Sequence, residues 1–157
     1  MELLFLLSFT LHNIEEGIWL PRWSQYVGPY HPQVSNREFH FALLTITSVG
    51  YLLTFMSLQF GQSIETIQCI YLGFIVMMCL NSVFPHLLAT IVLKKYAPGT
   101  LTGLLLNLPI GTTIIMKNIE AGVPRHSILI AGIIVSVLTS ISLRLLFKMG
   151  SKLIDEY

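Results

Sequence analysis

The chain alternates long apolar runs with short breaks made of proline, glycine and charge. The runs are too long for strands, so the pattern predicts an all-α protein. It reads as an integral membrane bundle of five transmembrane helices in a single domain, 1–157. The spans are predicted over residues 2–20, 37–60, 65–93, 100–116 and 127–147. The first is just long enough to cross a hydrocarbon core of roughly 30 Å at about 1.5 Å per residue. Pro21 is expected to end it, with Trp19 and Trp23 as interfacial anchors. Ser35 or Asn36 can cap the second, with Glu38 in its first turn. The third is long enough to need tilt or a kink, which Pro85 offers. Ala97-Pro98-Gly99 makes the following turn, and Pro109 breaks the fourth span. No internal repeat or low-complexity tract is visible, and the N-terminus lacks the basic start of a cleavable signal peptide.

A few polar residues interrupt these runs. His12, Glu15 and Glu16 share one helical face, because positions i, i+3 and i+4 lie together. Ionisable groups inside a span are costly in lipid and mark a functional site by default. Measured from the same end of their helices, these three lie about 6–12 Å deep, His40 about 5 Å, His86 about 12 Å and Asn107 about 10 Å. Four helices thus place polar side chains in one layer. Asn81 falls about 8 Å further in than His86. His31 and His126 read as loop residues, and the Ser and Thr of the fifth span as packing groups.

Composition sharpens the class. Of 157 residues 54% are hydrophobic and only 11% charged, against about 25% charged in a soluble domain. A net charge of +1 gives no sign of nucleic-acid binding. Cys69 and Cys79, roughly 15 Å apart on one helix, are too distant for a bridge. Five spans put the termini on opposite sides. One side holds Arg22, Arg37, Lys94, Lys95, Arg144, Lys148 and Lys152, and the other only Lys117 and Arg125. The basic side is cytoplasmic, so the N-terminus is expected outside and the C-terminus inside, with the polar layer in the cytoplasmic third of the bilayer.

Imidazole with carboxylate is a ligand set for zinc in the first place, and for iron or manganese. His12 and Glu16, at i and i+4, can hold one ion from one helix. His40 and His86 are expected to complete the set. Glu15 is then left as a general base, or as the partner that fixes an imidazole tautomer. Asn107 and Asn81 are candidates to orient a substrate, with helix-to-helix bonding as their plainer role. A di-iron centre wants two Glu-x-x-His helices and is disfavoured.

His12-x-x-Glu15-Glu16, preceded by Leu11 and followed by Trp19, resembles the signature of the HXXEE domain family of small bacterial membrane proteins. Phe39-His40-Phe41-Ala42 fits the same pattern. So does Asn81…His86-Leu87 leading to Tyr96-Ala97-Pro98-Gly99-Thr100 and then Asn107-Leu108-Pro109. The resemblance covers roughly residues 6–145. It implies a multi-pass protein of the bacterial inner (cell) membrane and supports the site more than any reaction.

The expectation is therefore a membrane-embedded, metal-dependent enzyme, hydrolytic by preference, acting on a lipid or small hydrophobic substrate; an oligomer is compatible with it. A metal-free acid–base isomerase is the first rival, and an ion or small-molecule carrier or accessory subunit the second. The topology is directly testable. In a chain with Cys69 and Cys79 replaced, a cysteine at Gln62 should react with an impermeant thiol reagent in intact cells. Labelling at Ser24 instead would reverse the orientation.

Overall fold

The computed structural model describes residues 1–28 and 33–154, with side chains as far as Lys152. These form α1 (Glu2–Ser24), α2 (Asn36–Phe60), α3 (Glu65–Leu93), α4 (Thr100–Glu120) and α5 (Arg125–Ile154). The described residues are all-helical, with no strand among them. Four helices, α2 to α5, are long and apolar enough to cross a membrane. α1 has the length, at 23 residues, but falls short on composition. His12, Asn13, Glu15 and Glu16 lower its hydropathy.

α3 forms the centre, with Tyr71, Leu72, Phe74, Ile75, Met77 and Met78 all buried. Phe5 and Phe9 of α1 pack edge-on against it, with Phe9 and Phe74 centred 5.2 Å apart. This is the favoured arrangement for aromatic quadrupoles. α5 lies against α3 where small residues let the backbones approach. A Cβ on Gly73 would stand 2.7 Å from the Ala131 carbonyl carbon, and one on Gly132 would stand 2.5 Å from Val76. The outward face of α5 carries exposed Leu129, Ile133 and Ile141. Such a continuous exposed apolar face is compatible with lipid contact.

Three helices carry prolines, and each proline leaves a carbonyl without its usual donor. In α3 the break is large: residues Ser82–Leu87 form a wide, π-type turn, and Phe84 leaves helical geometry at φ −129° and ψ 116°. The Phe84–Pro85 peptide is cis. A second wide turn, Gly103–Asn107, precedes Pro109 in α4. The two wide turns pack on each other, since a Cβ on Gly103 would meet Ser82 Oγ at 2.9 Å. Wide turns of this kind recur at functional sites.

Pro21 does not end α1, which continues for another turn to Ser24. The freed carbonyl is that of Gly17, four residues back, and His40 Nε2 donates to it at 2.8 Å. The proline's disruption is absorbed by a side chain from the neighbouring helix. Beyond α1, Val34 N–H donates to Ser24 Oγ at 3.2 Å, closing the described part of the loop. Pro29, Tyr30, His31 and Pro32 lie outside the described residues, so His31 has no placement here. α2 then opens on a capping box: Glu38 N–H donates to Ser35 Oγ at 3.2 Å and Ser35 N–H to Glu38 Oε2 at 2.9 Å. His126, expected in a loop, falls in the first turn of α5 and is exposed.

The Pro21–Gly17–His40 arrangement can be tested by a double-mutant cycle. His40→Ala should cost about 1 kcal/mol of stability by leaving the Gly17 carbonyl bare. Pro21→Ala returns a backbone N–H to that carbonyl, so in its background His40→Ala should cost far less. Thermal unfolding of the four proteins in detergent reads the coupling.

Candidate metal centre

α1 puts His12 and Glu16 one turn apart on the side facing α3 and α4. The wide turn in α3 brings up the other half. In a regular α-helix, residues five apart diverge by about 140°. The π-type turn and the Phe84 departure bring Asn81 and His86 onto one side, with Asn81 Nδ2 3.0 Å from His86 Nε2. Asn81 also reaches His12 Nε2, at 3.3 Å. It was expected deeper in the span, because that estimate assumed an unbroken helix.

Three electron-pair donors converge here. Glu16 Oε1 lies 2.8 Å from His86 Nε2 and 3.6 Å from His12 Nε2. Ligand atoms of His12, Glu16 and His86 all fall within 4.8 Å of one another. Around a tetrahedral zinc, with bonds of about 2.1 Å, ligand atoms stand about 3.4 Å apart. The observed spacings bracket that value. The two imidazole rings meet edge to face, centred 5.2 Å apart. Gly99, at φ +90°, closes the group from beneath: a Cβ there would stand 2.7 Å from His86 Cε1 and 2.9 Å from His12 Cε1. Both the left-handed backbone and the lack of space require glycine.

Glu15 has a different task from the one expected of a free base. Its Oε1 accepts from the Gly99 N–H at 2.7 Å and from the Tyr96 hydroxyl. Its Oε2 accepts from the Thr102 N–H at 3.1 Å and the Thr102 hydroxyl at 2.6 Å. A carboxylate has about four lone-pair sites, and here all four are engaged. Tyr96, in the turn between α3 and α4, has its hydroxyl pushed up to about 12 by burial and by the Glu15 carboxylate, so it remains a donor.

The same bonds set the state of His12. The Thr102 hydroxyl has one proton, given to Glu15, so it accepts from His12 Nδ1–H at 3.1 Å. Nδ1 thus carries a proton, and Nε2 points at Glu16 and Asn81. This is the orientation a metal-ligating imidazole needs, held by a hydrogen bond on its far nitrogen. Thr102 was missed from sequence because it reads as an ordinary first-turn residue of the fourth span.

Two expected members are elsewhere. His40 is exposed on α2 and bonded to the Gly17 carbonyl, apart from the group. Asn107 is fully buried but stands beside Ser8, one turn from His12, accepting the Ser8 hydroxyl on Oδ1. Its Nδ2 has no hydrogen-bond partner among the described residues. Asn107 thus ties α4 to α1 one turn from the site rather than lining it.

Comparison with known proteins agrees with the motif. Residues 3–114 match the model of a family described as proteins of unknown function with an HXXEE motif. Over 152 residues, 94% of each chain, the protein is 43% identical to the uncharacterized protein YrkK of Bacillus subtilis (strain 168). No solved structure matches it. With the motif, the helical frame and most of the chain in agreement, this protein belongs to the HXXEE family.

Proposed function

We propose that this chain is a five-span protein of the bacterial inner membrane, N-terminus outside, that binds one divalent metal ion in the cytoplasmic third of the bilayer. Its proposed activity is hydrolysis of a lipid or small hydrophobic substrate. The observation that carries the reading is that ligand atoms of His12, Glu16 and His86 converge within 4.8 Å, with Glu16 Oε1 facing Nε2 of both histidines. Two histidines and one glutamate are a catalytic rather than a structural zinc set, since three ligands leave a coordination position open. α1 is the fifth span in this reading, its polar face turned onto α3 and α4 and away from lipid.

When bound, such an ion would lower the pKa of a coordinated water towards about 7 and polarise a carbonyl. The residues supply the rest. Thr102 and Glu15 hold His12 in its Nε2-ligating tautomer. Asn81, between the two imidazoles, donates towards the centre and is placed to orient a substrate oxygen. Glu16 faces both histidines through Oε1, which leaves its Oε2 to take the proton that Glu15 cannot.

One observation favours a second reading. The 2.8 Å separation of Glu16 Oε1 and His86 Nε2 is a hydrogen-bond length, and it makes this pair a proton-transfer couple for a metal-free isomerase. Elemental analysis of detergent-purified protein separates the two. The metal reading expects about one equivalent of zinc, iron or manganese, lost in His12→Ala, Glu16→Gln and His86→Ala but kept in His40→Ala and His126→Ala. Protein that stays folded and active after exhaustive chelation would leave only the isomerase.

The roles of the adjacent glutamates give a further test. Glu15→Gln places an amide nitrogen among four donors, so it should cost about 1–3 kcal/mol in thermal stability. Thr102→Val should weaken metal binding about 10–100-fold by releasing His12 Nδ1, whereas Thr102→Ser should bind nearly normally. Equal affinity in Val and Ser variants would remove Thr102 from the site.

A further inference from the structure

An elongated cavity of about 200 Å³ runs between α1, α2, α3 and α5, and Glu16, Asn81 and His86 form part of its wall. On α1 its lining runs from Phe9 through Asn13 and Glu16 to Leu20, a stripe about 16 Å long. On α5 it runs over Thr139, Leu143 and Phe147, about 12 Å along the helix. Apart from the polar groups of the site, Asn13 and Thr139, the wall is aliphatic, aromatic or thioether. α2, α3 and α5 are each long and apolar enough to cross a membrane, and the lining of the cavity runs along all three.

A second cavity of about 200 Å³ shares Leu20, Pro85 and His86 with the first. It is bordered by Phe84, Leu88 and Val92, all exposed on the outer face of α3. The two cavities therefore lie on either side of a wall formed by Leu20, Pro85 and His86, and the second faces the exposed apolar side chains of α3. The break in α3 turns His86 inward and places it in the wall of both cavities.

We infer that the long cavity takes the single hydrocarbon chain of a membrane amphiphile, with a neutral ester head at Glu16, Asn81 and His86. The head assignment rests on the reading of the site given above; the chain assignment rests on the cavity alone. A chain running along the helices matches the shape, and the wall offers no charged group besides those of the site. One carboxylate already serves the two imidazoles, so an ester oxygen, which brings no charge of its own, suits the wall better than a free acid.

The test is photolabelling of the full-length protein in lipid nanodiscs with a diazirine-bearing fatty acid methyl ester, followed by peptide mapping. Saturable labelling is expected on Met77, Met78 and Leu143, competed by the unlabelled methyl ester and only weakly by the free acid. Non-saturable labelling of outward Leu129 and Ile133 serves as the lipid-contact background. Leu143→Trp, which fills the cavity, should cut the saturable labelling about tenfold or more. Ala42→Leu reads the same effect should that variant fail to fold. Labelling confined to the outer face, or cavity labelling indifferent to both substitutions, would overturn the proposal. Glu16→Gln and chelated protein separate the two readings. Cavity labelling in protein that never held metal sinks only the metal reading, and metal-loaded protein without cavity labelling sinks only this one. Equal competition by acid and ester overturns the neutral-head assignment.

Discussion

The structure depends on one buried carboxylate. Glu15 gathers four donors from a stretch of seven residues, Tyr96 to Thr102, and so fastens α1 to the turn that joins α3 and α4. A buried carboxylate is expensive unless every lone pair is met. Meeting them requires backbone N–H groups, and a regular helix has none free except in its first turn. The first turn of α4 supplies the Thr102 N–H and the residue ahead of it, Gly99, supplies another. Glu15 thus behaves as the N-terminal anion of a helix it does not belong to, which the helix dipole favours.

The wide turns answer a related difficulty. A straight α3 would turn Asn81 away from His86, and an unbroken α4 would have no reason to leave space for Ser82 at Gly103. Proline sets each break, and a broken helix needs substitute partners for its freed carbonyls. At Pro21 that partner is His40, a histidine whose place in a span suggests chemistry but whose bond is structural. Polar residues of the same type and depth therefore divide between two jobs, repairing backbone and forming the site.

That division explains what the sequence could and could not convey. The helical order and most helix boundaries follow from the long apolar runs and the proline, glycine and charge that break them. The grouping of His12, Glu16 and His86 follows from depth, since residues at one level on neighbouring helices can meet. Depth says nothing about rotation around the helix axis, so His40 and Asn107 were included at the right level with the wrong facing. Asn81 meets His12 and His86 because α3 is broken over Ser82–Leu87, which a count of residues along a regular helix does not show. Thr102 carried no signal at all: a hydroxyl in a first turn is commonplace until the carboxylate it serves is seen beside it. α1 has the length of a span, yet its polar residues lower its hydropathy below that of the other four helices and are met by α3 and α4.

The spacing of the motif follows from these jobs. Residues 12 and 16 lie one turn apart and face the same way, so His12 and Glu16 can meet one centre. Residue 15 is rotated by about 100° from residue 16, which turns Glu15 from the α3 side to the α4 side. His12 stands between the two directions, with Nε2 towards Glu16 and Nδ1 towards Thr102 and Glu15. An imidazole has two nitrogens on opposite sides of its ring, and two adjacent carboxylates are the shortest sequence that can address both. Position 14 faces outward, as the exposed Ile14 shows, and a side chain at position 17 would meet Leu43 and His40 of α2, so neither neighbouring position reaches the group. The order His-x-x-Glu-Glu thus lets a single helix present an imidazole and a carboxylate in one direction and anchor a second carboxylate in another.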